Sequence, residues 1–537
     1  MGRGALFTRR QTLGTLGSVG AATLASSARA EIAPNWSSLA AAYKVPDWFR
    51  DAKFGIWAHW GPQCVPEHGD WYGRQMYQQG NPFYEHHLKH YGHPADTGFL
   101  DIIGKWKAEN WNPEHLIGLY KAAGAKYFMA LANHHDNLDT FDSRHHAWNT
   151  LRVGPKRDII GTWEKAVRKA GLKFGVSNHS AHAWHWWQTG YGYDAEGPRA
   201  GERYDAFKLT KADGAGKYWD GLDPQELYTG PAFVPPNGIA TKAAMQDFHD
   251  THSGRWMEFA PPQNPHHVAK WLLRQKDLVE KYRPDIVYLD NYGLPFGSVG
   301  LEALAHYYEQ ATAWHGSPDV VMTAKKLTAY QQTALVDDVE RGFSDRLRAE
   351  PWQTCTCIGD WHYNRGRYDN KSYVPAEQVI QRLCDVVSKN GNLLLSIPVR
   401  GDGTIDSEEE KIVAGIGRWM QRNGETAIHG SRPWRVYGEG PTQVAGGHFG
   451  EGKVRFVPGD VRYMTKSGAL FAALLVRPDA KLVLKSIPKD AVVEKVSLVG
   501  GGRVAFERTE AGLEISMPIA ELWDYVPILR IDGRGLV

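Results

Sequence analysis

Side chains suited to acid, base and hydrogen-bonding chemistry stand directly after short apolar runs in this 537-residue sequence. These positions are His59-Trp60-Gly61, Asn133-His134-His135-Asp136, Asn178-His179 and Asp290-Asn291. A carboxylate that directly follows Ile-Val-Tyr-Leu is costly to remove from water unless it has a partner or a task. Asp290 is therefore a candidate catalytic group, and a cap for the following turn or helix is the competing interpretation.

The histidines at 134 and 135 also raise the question of a metal site, because neighbouring histidines and a carboxylate are common zinc ligands. Adjacent residues of a strand point to opposite faces, however, and no H-x-H or H-E-x-x-H motif accompanies the pair. We therefore expect no metal and favour hydrogen bonding to a bound substrate for His134 and His135. A buried core histidine is the alternative for one of the two.

These groups need a scaffold that brings the ends of separate strands together. From about residue 50 to 425, apolar runs alternate with amphipathic stretches, which is the pattern of repeated βα units. Six runs are predicted as strands: 54–58, 127–132, 173–177, 286–289, 319–322 and 392–397. Six stretches are predicted as helices: 113–123, 159–170, 266–282, 301–314, 376–388 and 407–423. The pattern predicts an α/β fold, a (β/α)8 barrel with degenerate units, in which reacting groups meet where the strands end.

Two other segments depart from this rhythm. Residues 190–246 are rich in Gly, Asp, Lys and Tyr, and we predict a long insertion there that walls the active-site face. After residue 432, short β-rich segments alternate with turns and no good helix follows, which predicts an antiparallel β-sandwich over 433–537. The catalytic domain is accordingly expected over 31–432.

The first 30 residues have the pattern of a twin-arginine export signal. Thr8-Arg9-Arg10 precedes an apolar, Gly- and Ala-rich stretch and then Ala28-Arg29-Ala30, a small-x-small cleavage site. The apolar run is shorter than the roughly 20 residues that span a bilayer. We expect a cleaved signal and a periplasmic or secreted mature chain that has no membrane anchor.

The overall composition argues against nucleic-acid binding and weakly favours carbohydrate binding. A formal net charge of +2 gives no electrostatic case for binding nucleic acid. The 21 Trp and 24 Tyr residues offer flat apolar faces with a polar edge, which suit stacking on sugar rings but also fill ordinary cores.

The four cysteines, Cys64, Cys355, Cys357 and Cys384, lack the paired C-x-x-C spacing of a structural zinc site. An oxidising compartment permits a disulfide, but the sequence selects no pairing. Buried free thiols are the alternative.

Several motifs between residues 45 and 434 carry a family resemblance. They are Trp48–Pro62 with the core F-G-I-W-A-H-W-G, Asp70-Trp71-Tyr72-Gly73-Arg74, His134-His135-Asp136, Trp148-Asn149, Gly154–Asp158, Pro284–Asp290, Trp352–Cys355 and Val386–Leu395. In type and order they resemble the α-L-fucosidases of glycoside hydrolase family 29. The resemblance implies that Asp290 is the catalytic nucleophile and that His59, His134 and His135 contact the sugar hydroxyls. The full set of expected substrate-binding residues is His59, Trp60, Asp70, Trp71, His134, His135, Asn178, His179 and Trp352.

The acid/base has two candidates, because in the family it lies on a variable stretch before the Trp352 motif. Glu340 ends a strand-like run from 333 to 339 and is better aimed at the barrel mouth, so we favour it. Glu350 is the alternative, and a surface ion pair with a neighbouring arginine is the competing role for Glu340.

Two carboxyl groups about 5.5 Å apart suit a retaining mechanism, in which one attacks the anomeric carbon and the other donates and then removes a proton. We therefore expect a retaining exo-glycosidase that acts on fucosylated or similar glycans and needs no cofactor. The sequence leaves the oligomeric state open.

Departures from the family pattern touch the sugar pocket. Asp70 stands where the family usually has Glu, residues 322–326 lack the common Asn-Asp-Arg, and residues 177–180 replace a segment that contains tyrosine. An L-galactoside, which carries a hydroxyl that L-fucose lacks, is thus an alternative substrate. A non-catalytic carbohydrate-binding protein and a metal-dependent hydrolase are the two further alternatives.

Overall fold

The computed structural model describes residues 31–254, 265–518, 522 and 525–537, so the predicted export signal lies outside the described residues. In these segments, eight parallel strands close into a barrel in sequence order. They are β1 Phe54–Ala58, β2 Tyr127–Asn133, β3 Lys173–Asn178, β4 Ile286–Tyr292, β5 Val321–Lys325, β6 Val336–Glu340, β7 Trp352–Cys357 and β8 Gly391–Ser396. The predicted α/β barrel is confirmed.

The two strands absent from the list of six are polar. In β6 and β7 the side chain of Gln353 donates to Asp338 at 2.9 Å inside the barrel, and Tyr127 donates to Gln353 at 3.1 Å. A buried polar network thus replaces the apolar run by which the other strands were recognised, since its donors and acceptors satisfy one another. No α-helix lies between β5 and β6 or between β6 and β7 in this described stretch, which accounts for the degenerate units.

The α-helices of the described residues surround the barrel and cover its ends. They are α1 Trp36–Ala42, α2 Asp47–Ala52, α3 Tyr72–Gln75, α4 Pro82–His90, α5 Phe99–Lys105, α6 Pro113–Ala122, α7 Ile159–Lys169, α8 Ala183–Trp186, α9 Asp205–Lys208, α10 Pro224–Leu227, α11 Lys242–His252, α12 Pro265–Tyr282, α13 Ser298–His315, α14 Arg365–Asp369, α15 Ala376–Ser388 and α16 Ser407–Asn423. The observed bounds of α15 and α16 are those predicted. The start of α16 is fixed by Asp406, whose carboxylate accepts from the amides of Glu408 and Glu409.

Residues 190–246 form an insertion between β3 and β4 that carries α9, α10 and part of α11. Its buried Asp205 accepts hydrogen bonds from Tyr77 at 2.6 Å and Tyr228 at 2.7 Å. No residue between 190 and 246 lines the active-site cavity described below. The insertion therefore packs against the segment around Tyr77. It does not form the predicted wall of the active-site cavity.

The C-terminal region contains two antiparallel sheets, of five and three strands, in the described residues. Their strands are β9 Arg432–Glu439, β10 Val461–Lys466, β11 Ala469–Leu474, β12 Lys481–Leu484, β13 Val492–Leu498, β14 Ala505–Thr509, β15 Gly512–Ser516 and β16 Ile528–Arg534. Leu470 and Leu529 of the larger sheet share a core with Leu513 of the smaller one, which confirms the β-sandwich.

Alternate residues of β11 face two different cores. Leu470, Ala472 and Leu474 pack inside the sandwich, whereas Phe471 and Ala473 belong to the core of the barrel. The period-two geometry of a strand produces this division. The larger sheet is therefore buried on both faces at β11.

All four cysteines lie in described segments, and all are free and buried. The Cys355 thiol donates to Asp338 at 3.0 Å and that of Cys357 to the carbonyl of Gly359 at 2.8 Å. Among the described residues, no helix is long and apolar enough to cross a membrane.

Candidate active site

A cavity of about 460 Å³ opens where the barrel strands end. It is lined by Trp57, His59, Asp70, Trp71, Gln75, His134, His135, His179, Tyr288, Asp290, Tyr292, Lys325, Glu340, Trp361 and Phe449. A larger groove of about 730 Å³ lies between α6 and α16 near the other end of the barrel and contains none of the predicted site residues. The smaller cavity is therefore the candidate active site, in the position that barrel enzymes use.

Three successive strands bring one lysine between two carboxylates. Asp290 lies on β4, while Lys325 and Glu340 are the last residues of β5 and β6. The Lys325 ammonium donates to Asp290, and its distance to the carboxylate of Glu340 is 2.5 Å. Because one nitrogen contacts both groups, the Oδ1 atom of Asp290 and the Oε2 atom of Glu340 lie no more than about 6 Å apart, which is twice a hydrogen-bond length.

The pKa values of the two carboxyl groups are shifted in opposite directions. Burial raises the pKa of Asp290, but Lys325 and the nearby histidine rings outweigh burial, so this pKa lies well below its usual range. Burial also raises the pKa of Glu340. Lys325 opposes that rise and the charge of Asp290 adds to it, so this pKa lies above its usual value. The pair therefore favours an ionised Asp290 beside a protonated Glu340.

Two histidine rings hold the second oxygen of Asp290. The Nδ1 of His179 lies 3.1 Å from Oδ2, and the Nε2 of His135 lies 3.4 Å from it. The other nitrogen of His135 is 2.9 Å from the carbonyl oxygen of His179, which fixes the orientation of its ring. Burial lowers the pKa of His179 to about 4, so this ring is neutral near pH 7.

His59 and His134 complete a deep, histidine-lined end of the cavity. The Nδ1 of His59 lies 3.0 Å from the hydroxyl of Ser396, and the Nδ1 of His134 lies 2.9 Å from the amide nitrogen of Gln63. Burial holds the pKa of both rings well below the usual value. Neutral rings offer donors and acceptors suited to hydroxyl groups.

The prediction that His134 and His135 point to opposite faces is wrong. His134 and His135 do not face opposite ways, because β2 ends at Asn133 and the chain then turns, which leaves the two ring centroids 4.3 Å apart. Among the described residues, His134, His135 and His179 offer ligand atoms that all lie within 4.8 Å of one another. This donor set suits a transition metal such as zinc.

Asp70 lies at the cavity, but its carboxylate is already engaged. It accepts from the backbone amides of Trp361 at 3.0 Å and His362 at 2.7 Å. The residue therefore ties the loop after β7 to the segment that carries Trp71, and through that loop it places the ring of Trp361 in the cavity wall.

Four predicted residues lie away from the cavity. Trp60 follows His59 on the opposite face and packs against Trp106 and Trp111, and Asn178 donates to Gln275 of α12 at 2.8 Å. Trp352 begins β7 at the other end of the barrel and donates to the carbonyl of Lys389. Glu350, the alternative acid/base, is exposed two residues before that strand.

Several residues that line the cavity were not predicted, and Lys325 is the most important of them. Lys325 has the same sequence pattern that identified Asp290, because it is a polar residue at the end of a largely apolar run. The predicted strand ended three residues too early, at Met322, whereas β5 continues to Lys325. Phe449 had no such signal, because it comes from the C-terminal region more than 100 residues after β6.

Comparison with known proteins identifies the family of this chain. A sequence model of the alpha-L-fucosidase family matches residues 20–425. This chain belongs to the α-L-fucosidase family. It is thus a glycoside hydrolase by descent, and the resemblance found in the sequence motifs is confirmed.

Relatives match this α-L-fucosidase family member over nearly its whole length. The tissue alpha-L-fucosidase of Rattus norvegicus is 26% identical over 475 residues, covering 87% of this chain and 84% of its own. The tissue alpha-L-fucosidase of Homo sapiens is 25% identical over 499 residues, covering 90% and 87%. A solved structure of the Thermotoga maritima alpha-fucosidase in complex with fucose superposes with a TM-score of 0.67 at 25% identity, covering 93% of this chain and 99% of that one.

Proposed function

We propose that this chain hydrolyses terminal α-L-fucosyl residues with retention of configuration, with Asp290 as nucleophile and Glu340 as acid/base. The observation that carries the proposal is the contact of Lys325 with both carboxylates. A spacing of at most about 6 Å between the two contacted oxygens is compatible with the roughly 5–5.5 Å of retaining pairs and is shorter than the roughly 6.5–9.5 Å that inverting enzymes need for a water molecule.

In the first step, an oxygen of Asp290 attacks the anomeric carbon while the bond from that carbon to the glycosidic oxygen breaks. The proton of Glu340 passes to the departing oxygen, which leaves as an alcohol. Lys325 lowers the pKa of Asp290 and so favours its ionised form for this attack, and burial raises the pKa of Glu340, which favours its protonated form. The product is a fucosyl ester of Asp290 and a carboxylate at Glu340.

In the second step, the Glu340 carboxylate removes a proton from a water molecule whose oxygen attacks the anomeric carbon from the face that the alcohol left. The ester bond to Asp290 breaks, and both carboxyl groups regain their starting protonation states. Two displacements at one carbon return the original anomeric configuration.

The histidine-lined end of the cavity is proposed to bind the sugar. His59, His134 and His179 offer neutral ring nitrogens for its hydroxyls, and the ring of His135 lies beside them. Trp57 and Trp361 stand beside His59, with ring centroids 3.8 and 4.8 Å from it, and supply apolar surface for the methyl group of fucose.

The test compares an aryl α-L-fucoside with the matching aryl α-L-galactoside on the wild-type mature chain and on Asp290→Ala. Hydrolysis of the fucoside, lost in the variant and giving α-L-fucose as the first product by NMR, is the expected result. Preference for the galactoside would change the substrate assignment, and β-L-fucose as the first product would overturn retention.

We also propose that the natural substrate is a fucosylated glycan met outside the cytoplasm. Support comes from the Thr8-Arg9-Arg10 pattern and the cleavage site at 28–30. Replacing both arginines by lysine should hold the protein in the cytoplasm, as cell fractionation would show.

A further inference from the structure

We propose that the C-terminal region builds a binding subsite for the leaving group, with the exposed ring of Phe449 as its platform. The ligand class is an aglycone with a flat apolar face, either a sugar ring presenting its C–H bonds or an aryl group. This inference rests on the proposed function, because it takes Glu340 as the group that protonates the leaving oxygen.

The chain segment between β9 and β10, residues 440–460, reaches from the sandwich to the end of β6. The amide of Phe449 donates to the carbonyl of Glu340 at 2.9 Å, and the amide of Glu340 donates to the ring of His448 at 3.1 Å. Two further backbone bonds join Gly447 to Phe343 and Glu451 to Arg341, both at 3.0 Å. The segment therefore follows β6 and fixes the backbone beside the proposed acid/base.

A buried carboxylate anchors the far side of this segment. Glu451 accepts from the hydroxyl of Thr356 on β7 at 2.6 Å and from Arg341 at 3.0 Å. The approach is close enough that a Cβ atom on Gly342 would lie 1.9 Å from the carbonyl oxygen of Gly447. Phe449 itself has a φ of 56°, a left-handed conformation uncommon for an aromatic residue. The contacts on both sides hold that conformation in place.

The Phe449 ring is exposed, although the segment that carries it is anchored. Its exposed fraction is 57%, and it lines the same cavity as Asp290 and Glu340. An apolar ring held open to water at the rim of a reaction cavity offers its exposed face as a stacking surface for a bound ring. Tyr292 lies on the same side, with its ring centroid 6.3 Å from that of His448.

The position of Phe449 relative to Glu340 indicates that the leaving group would stack on the Phe449 ring. The histidines that face Asp290 are almost fully buried and form the closed end of the cavity. Phe449 stands at the open rim, bonded through its backbone to the residue that faces the leaving oxygen. A group attached to that oxygen must leave the closed end past this rim, so its first ring meets Phe449.

The experiment compares two substrates whose leaving groups need no proton. α-L-Fucosyl fluoride releases a single atom, whereas 2-chloro-4-nitrophenyl α-L-fucoside releases an aryl ring. We expect Phe449→Ala to lower kcat/KM for the aryl substrate about three- to tenfold, the range for loss of one aromatic contact. It should leave the fluoride within about twofold, and Phe449→Trp should retain the aryl activity.

Tyr330→Ala is the matched control, since Tyr330 is an aromatic residue of similar exposure, 55%, that does not line the cavity. An equal loss on both substrates in Phe449→Ala, or no loss on either, would overturn the subsite while the wild-type activity still upheld the proposed function. If the wild-type chain hydrolysed neither substrate, the proposed function would fail and the subsite with it.

Discussion

The ammonium group of Lys325 donates a hydrogen bond to Asp290 across two neighbouring strands of the barrel, β5 and β4. The same group reaches Glu340 on the next strand, β6. A single cation thus lowers the pKa of both carboxyl groups, and substitutions of the three residues are expected to change the reaction in different ways.

Removal of the nucleophile should nearly abolish turnover. Asp290→Gly is expected to lower kcat for an aryl α-L-fucoside by about 10⁴-fold or more, since no ester can form. Azide can enter the space left by the carboxylate, and the rescued product should be β-L-fucosyl azide. An α-configured azide would instead indicate that Asp290 is not the nucleophile.

Removal of the acid should depend on the leaving group. Glu340→Ala is expected to lower kcat/KM about 10²- to 10⁴-fold for a fucosyl disaccharide and far less for 2-chloro-4-nitrophenyl α-L-fucoside, which needs no proton. Glu350→Ala is the matched control, because Glu350 is exposed at the other end of the barrel. If the Glu350 variant showed the leaving-group dependence and the Glu340 variant did not, the assignment would be reversed.

The pH profile should respond to Lys325. The acidic limb of kcat/KM reports ionisation of Asp290 and the alkaline limb reports deprotonation of Glu340, as apparent values of the pair. Lys325 lowers the pKa of both groups. Lys325→Met should therefore move both limbs to higher pH, whereas Lys325→Arg, which retains the charge, should move them less.

A thermal unfolding measurement on both Lys325 variants serves as the control for folding. A Lys325→Met enzyme that is folded and has an unchanged profile would contradict the electrostatic role of the lysine.

Metal ions should inhibit the enzyme and should not activate it. Added Zn²⁺ is expected to compete with substrate by binding His134, His135 and His179, whose ligand atoms lie within 4.8 Å of one another. His179→Phe should weaken this inhibition by about tenfold or more, because one of three ligands is lost. EDTA alone should leave the activity of the purified chain unchanged, and loss of activity that Zn²⁺ restores would favour a metal-dependent hydrolase.

The predictability of this fold depended on where the barrel strands are apolar. β4 has the apolar run Ile-Val-Tyr-Leu before Asp290 and was predicted, whereas β6 carries Asp337 and Asp338 and was recognised only as a strand-like run outside the six predicted strands. The polar partners that compensate these side chains, such as Gln353, are adjacent in space only after the barrel closes. Local hydrophobicity cannot report such pairing.

The sequence was also limited in predicting which side chains face the cavity. His59 and His179 were found because each follows a strand, but the same rule also selected Trp60 and Asn178, whose side chains point away from the cavity. Which of two consecutive side chains faces the barrel axis depends on where the strand ends, and that bound is uncertain by a few residues in a sequence. Asp70 was found, but the partners of its carboxylate, the amides of Trp361 and His362, lie nearly 300 residues later.

The two faces of β11 constrain the order in which this protein can be made. Phe471 and Ala473 belong to the same core cluster as the barrel strands, yet they are synthesised after every one of those strands. A ribosome that has released the barrel strands has therefore not yet released every residue of the core that contains them. The β6 end likewise lacks its Glu451 anchor until the segment after β9 emerges. Assembly of the catalytic centre is thus expected to be one of the last events of biosynthesis, as stalled chains of increasing length would reveal by protease resistance.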